Sequence, residues 1–111
     1  LSFSPEDRTE NIRRIAEVSN LMIDAGLVVL AAFVSPYKKD REMIKNTVKS
    51  VNFVEIFINT SVEECERRDT KGLYAKARKG LIKDFTGVNA PYEAPENPDV
   101  LIETENTSVK E

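Results

Sequence analysis

Polar and apolar positions change period several times along the chain, and each change predicts an element. Ile12, Ile15, Ser19, Met22 and Ile23 fall in one stripe at about 100° per residue, while Glu10, Arg13, Glu17, Asn20 and Asp24 occupy the opposite half. Ser4 and Pro5 mark the start of this helix: the hydroxyl can cap, proline tolerates the first position, and Asp7 stands where a capping-box acid belongs. The helix is expected to run to Ala25 and stop at Gly26, which can take the left-handed conformation. "LVVLAAF", residues 27–33, then breaks the helical period. Such a continuous, valine-rich run predicts a strand buried on both faces, as in a parallel sheet, closed by Pro36.

The alternation continues. A polar helix is expected over residues 38–51, and "FVEIFIN", 53–59, reads as a second buried strand. Thr60 or Ser61 caps a helix through Arg68, and a further helix over about 72–79 carries Leu73, Ala77 and Leu81 at i, i+4 and i+8. Residues 85–98 lack periodicity and hold three prolines, so they read as loop. "VLIET", 100–104, is a third short strand, and "NTSVKE" resembles the cap of a helix. Strands alternating with helices imply an α/β fold with a parallel sheet. Ligands in such sheets sit beyond the carboxyl ends of the strands, here Val34-Ser35-Pro36, Asn59-Thr60 and Glu105 onward.

Composition narrows the function classes. With 111 residues the chain suits one domain, and no internal repeat appears. A net charge of -3 argues against a nucleic-acid polymer as partner. Yet residues 64–87 gather Arg67, Arg68, Lys71, Lys76, Arg78, Lys79 and Lys83. Part of such a run is ordinary solvated helix face; the rest suits a small anion such as a nucleotide. A single cysteine, Cys65, excludes an internal disulfide and, with no histidine in the chain, disfavours a zinc site. No apolar run is long enough for a bilayer and the first residues do not read as a signal peptide, so a cytoplasmic setting with no membrane partner is expected.

Two polar residues stand on the apolar side of the first helix. Arg8 and Asn11 share its core-facing stripe at the N-terminal end. Either Arg8 snorkels outward to a carboxylate, or both side chains face a ligand where a helix N-terminus favours anions. Phe3, just before the cap, is placed to staple onto the helix's fourth position.

Together these stretches resemble the adenylyl-sulfate kinases. The resemblance rests on "FSPEDRTEN", on the A-G-L-V run ending in S-P-Y, on "RDTKGLYAKAR" and on F-T-G, and it covers essentially the whole chain in order. It implies a three-layer P-loop-kinase-like fold, α/β with a parallel sheet, and transfer of the γ-phosphate of MgATP to the 3'-hydroxyl of adenylyl sulfate. Carried over by motif, Phe3 and Phe85 would flank the substrate adenine, and Arg8 and Asn11 would hold the phosphosulfate. Val34 and Ser35 would contact the substrate; a catalytic role for Ser35 as a phosphoserine is inherited from the family only, and in-line transfer needs no such step. Lys71, Asp84 and Phe85 would belong to a lid over about 67–87, in which Arg67, Arg68 and Lys71 face ATP. The resemblance also implies a homodimer.

Departures from the family pattern shape the remaining expectations. The four glycines are isolated and no Gly-Lys-Ser/Thr occurs, so the chain holds no P-loop. It is therefore expected to be a single incomplete domain, residues 1–111, with the ligands of magnesium and of the ATP phosphates outside it. Asn89 stands where the family usually has an acid, and Asp84 adds a negative charge beside Phe85. Two alternatives stay open beside the kinase: a non-catalytic nucleotide-binding fragment or relative, and another small P-loop kinase. Phe3, Arg8, Asn11 and the F-T-G motif favour adenylyl sulfate over the second alternative.

Overall fold

A computed structural model describes residues 1–110. The first helix, α1, spans Pro5–Asp24. The Ser4 hydroxyl accepts from the Asp7 N–H at 3.2 Å, as a cap should. Asp7 does not close the box onto Ser4, however. Its carboxylate reaches two residues further back, to the N–H of Ser2 at 2.8 Å and to the Ser2 hydroxyl at 2.5 Å. At the other end Gly26 (φ +87°) donates to the Ile23 carbonyl and Leu27 to the Met22 carbonyl. These are the two bonds of a Schellman stop, with glycine in the left-handed position.

Helix α2 spans Lys38–Val48, three residues short of the expected end. Lys49 takes φ 68°, which breaks the helical path, and Ser50–Asn52 form a 3-10 turn. Helices α1 and α2 pack against each other with Ile12, Ala16 and Val48 buried. Burial of an Ile or Val side chain contributes about 1.5–3 kcal/mol. The same helix pair buries Asp40, which accepts from the Thr9 hydroxyl at 3.1 Å, and so satisfies a carboxylate that would otherwise be costly. The inward stripe of α1 therefore runs from half-buried Thr9 through buried Ile12 and Ala16 and is rotated from the expected one: Met22 is exposed and so is Asn11. These elements form one unit, Leu1–Phe53, together with Tyr92–Ala94.

The second unit takes in Val54–Pro91 and the chain from Pro95 onward. Strand β1, Ile56–Asn59, pairs in parallel with β2, Val100–Glu103, in the register Ile56↔Val100 to Asn59↔Glu103. Helix α3, Val62–Arg68, is capped by the Ser61 hydroxyl, and α4, Leu73–Arg78, follows Gly72. The α/β class with a parallel sheet is thus observed, with two strands where three were expected.

The difference lies in residues 27–33. They form no strand, and among the described residues no backbone group from 28 to 34 has a backbone partner. Val28 and Leu30 are 90% and 93% exposed, so the expectation of a strand buried on both faces fails here. A strand is defined by its neighbour, and the described residues supply none. Ile56 and Ile58 are likewise exposed, contrary to the buried strand expected over 53–59, and all of β2 is exposed as well. No helix among the described residues is long and apolar enough to cross a membrane.

Candidate functional site

In the first unit the head of α1 brings two predicted residues together. Phe3 occupies the position before the cap and Arg8 the fourth helical position, so the pair forms a staple with a cation in place of the second apolar residue. The Arg8 guanidinium lies 5.2 Å from the centre of the Phe3 ring, and its Nε donates to the Phe3 carbonyl at 2.9 Å. Arg8 is half-buried, whereas Phe3 stays 48% exposed, which leaves ring surface open to a planar ligand. Asn11 is exposed three residues on, next to Arg8 on the helix surface. Arg13 and Arg14 are paired along the helix. Both bond to Glu10, whose carboxyl falls to about 2, first through the hydrogen bond from Arg13 and then that from Arg14.

The same unit holds Val34, exposed, and Ser35, half-buried at φ 37°. The Ser35 carbonyl accepts from Arg41 at 2.6 Å. Its hydroxyl has no base within hydrogen-bond reach among the described residues, which fits a contact better than a nucleophile.

The second unit contains the basic run. Glu64 lies one helical turn before Arg67 and Arg68 and accepts from both, at 2.5 Å and 2.8 Å. Its carboxyl is held at about 2, chiefly by the Arg67 hydrogen bond. Arg68 also donates to the Thr104 carbonyl at 2.9 Å, just past β2. A cleft of about 530 Å³ opens there, lined by Glu64, Arg67 and Arg68 and by residues 105–108. It sits beyond the carboxyl end of a parallel strand, where the sheet rule had pointed. Sequence reasoning missed Glu64, although its spacing of three and four residues from the two arginines was the available signal. Lys71 is exposed.

Asp69 organises the segment that follows. Its carboxylate accepts from the N–H groups of Tyr74 and Ala75, both at 3.1 Å, and so caps α4 where Gly72 has no side chain to offer. Tyr74 in turn meets Phe85 edge-on, ring centres 4.9 Å apart. Asp84, exposed, takes φ 55°. Asn89 then pins the turn that carries Phe85: its side-chain oxygen accepts from the Phe85 N–H at 2.5 Å and its nitrogen donates to the Ile82 carbonyl at 3.1 Å. A carboxylate could make the first bond and not the second. The departure from the family pattern at this position therefore has a structural use. Thr86, inside F-T-G, has a buried hydroxyl that finds no partner among the described residues, a group worth about 1–3 kcal/mol to whatever satisfies it.

The family model for adenylylsulphate kinase matches residues 1–103. The adenylyl-sulfate kinase of Staphylococcus epidermidis is 56% identical over all 111 residues, which cover 56% of that protein. The adenylyl-sulfate kinase of Oceanobacillus iheyensis is 57% identical over the same 111 residues and 56% of its own length. The chain thus spans about half the length of the curated relatives it matches. A solved structure of the Mycobacterium tuberculosis APS kinase CysC in complex with AMPPNP and APS superposes with a TM-score of 0.91 at 42% identity, covering 96% of this chain and 63% of that one.

Proposed function

The chain belongs to the adenylyl-sulfate kinase family, and on that premise we propose that the protein transfers the γ-phosphate of ATP to the ribose 3'-hydroxyl of adenylyl sulfate. The observation that carries this reading is the corner formed by Phe3 and Arg8. An aromatic face and a guanidinium held by one capped helix head match the two ends of a nucleotide, a base and an oxyanion. Arg8 donates its fork to the phosphosulfate, and Asn11 adds a neutral donor beside it. Phe3 gives the adenine an aromatic surface, while Val34 and the Ser35 hydroxyl contact the substrate. Ser35 forms no covalent intermediate in this account, because no base among the described residues is within hydrogen-bond reach of its hydroxyl and in-line transfer needs none.

Arg67 and Arg68 serve ATP through the cleft after β2. Their pairing with Glu64 orients them and does not cancel them, since Arg67 keeps 71% of its side chain exposed. Lys71, Asp84 and Phe85 belong to the lid in this account, and exclusion of water on its closure strengthens each electrostatic contact. Magnesium would accompany the ATP phosphates. Among the described residues no three carboxylate, cysteine or histidine groups gather to hold it, so no step is assigned to the metal here. A homodimer in the cytoplasm completes the proposal, and a lone cysteine supports a reducing setting.

The experiment is titration of the protein with adenylyl sulfate by calorimetry, repeated for Arg8→Ala. Loss of about 1.5–3 kcal/mol of binding is expected, the value of a hydrogen bond to a charged group. Unchanged affinity would remove Arg8 from the site and the reading with it.

A further inference from the structure

Ser35 is held in an unusual way. A positive φ of 37° is a conformation that residues other than glycine, asparagine and aspartate seldom adopt, and it persists only where the surroundings enforce it. The enforcing group is six residues on. Arg41 is nine-tenths buried and spreads its guanidinium between two backbone carbonyls: Nη1 donates to Ser35 at 2.6 Å, and Nη2 donates to Glu93. Its guanidinium lies 5.8 Å from the centre of the Tyr92 ring. The rest of the turn is fastened to the same distant residue. The Glu93 N–H donates to the Pro36 carbonyl at 2.8 Å, and the Glu93 carboxylate accepts from the Lys38 N–H at 2.8 Å. That last bond replaces the cap that Tyr37 does not provide for α2.

We propose that Arg41 is a positioning residue for adenylyl sulfate: by bridging the carbonyls of Ser35 and Glu93 it fixes Ser35 in its left-handed conformation and so sets the direction of the Ser35 hydroxyl. The inference rests on the reading of Ser35 as a substrate contact. It explains why a fully charged side chain is buried at the start of a helix rather than used on the surface. It also explains why arginine stands here, since its planar fork presents donors to both carbonyls in a fixed geometry; lysine would keep the charge and lose that rigid bridge.

The test is a double-mutant cycle on the protein, read as the affinities for adenylyl sulfate and, separately, for ATP. Ser35→Ala and Arg41→Lys should each weaken adenylyl sulfate roughly tenfold, the scale of one good hydrogen bond. Combining them should weaken it no further than either alone, with ATP affinity unchanged throughout. A merely structural arginine would instead give additive losses and would lower both affinities. That result overturns the inference, as does an Arg41→Lys variant with full adenylyl-sulfate affinity while Ser35→Ala is impaired. Equal affinity in Ser35→Ala and the unaltered protein would remove Ser35 from the site, and Arg41's role with it, while leaving the reading of Arg8 standing. Should Arg41→Lys not fold, Tyr92→Leu removes the ring under the guanidinium and is expected to give a smaller loss, of about threefold, for adenylyl sulfate alone. An unchanged affinity in that variant overturns the inference equally.

Discussion

Arg8, Arg41 and Arg67 carry the same guanidinium into three settings, and the partners decide what each can do. Arg8 lies over an aromatic ring at a helix head, Arg41 is buried on two carbonyls, and Arg67 is exposed on Glu64. Glu64 illustrates how little such a surface pair offers to stability. Its carboxyl is depressed from 4.5 to about 2, so its favourable contribution is present above pH 4.5 and is lost as the pH falls toward 2. Both partners of that pair reach solvent, and the contribution is small. Tyr74 has the opposite sign. Burial first, and then the nearby Cys65, push its phenol from 10.0 up to about 12. The folded state therefore favours the neutral phenol, and stability is lost as the pH rises from 10 through 12. Tyr74→Phe should lose less stability over that interval than the unaltered protein, measured as the shift of urea midpoint with pH. Equal alkaline losses would contradict the assignment.

At the scale of elements, the local signals proved dependable. The Ser4 hydroxyl caps α1 and the Ser61 hydroxyl caps α3, each within four residues of the sequence that announces it. Ser4→Ala should cost about 1 kcal/mol in denaturant unfolding, with an unchanged slope; a loss within error would mean that Asp7 and Ser2 suffice to hold the helix start. Gly26 ends α1 for the same local reason. What the chain's pattern could not disclose depends on distant partners. Residues 27–33 have the composition of a buried strand but find no neighbour among the described residues, and strandedness is a property of the pair. The face of α1 was misplaced because Asp40, thirty-one residues away, draws Thr9 inward and leaves Asn11 exposed. Lys49 ends α2 at φ 68° without the glycine or asparagine that would have marked it. Of the candidate site, the staple position of Phe3 was legible, but its contact with the Arg8 guanidinium was not. The bridge from Arg41 to Glu93 was not, because it joins residues fifty-two apart.

For the molecule as a whole, the family is shown by a match over residues 1–103 and by relatives near 56% identity, and this chain covers 56% of their length. The two units each hold part of the proposed chemistry: Phe3, Arg8, Asn11 and Ser35 in one, Arg67, Arg68, Lys71 and Phe85 in the other. The most direct test of the account is phosphoryl transfer by the protein from γ-labelled ATP, with magnesium present and adenylyl sulfate as acceptor. The account predicts label on the ribose 3'-hydroxyl of adenylyl sulfate, and none when that hydroxyl is absent. Adenylyl sulfate left unlabelled, with the phosphate passing to water or to another small acceptor, would contradict it.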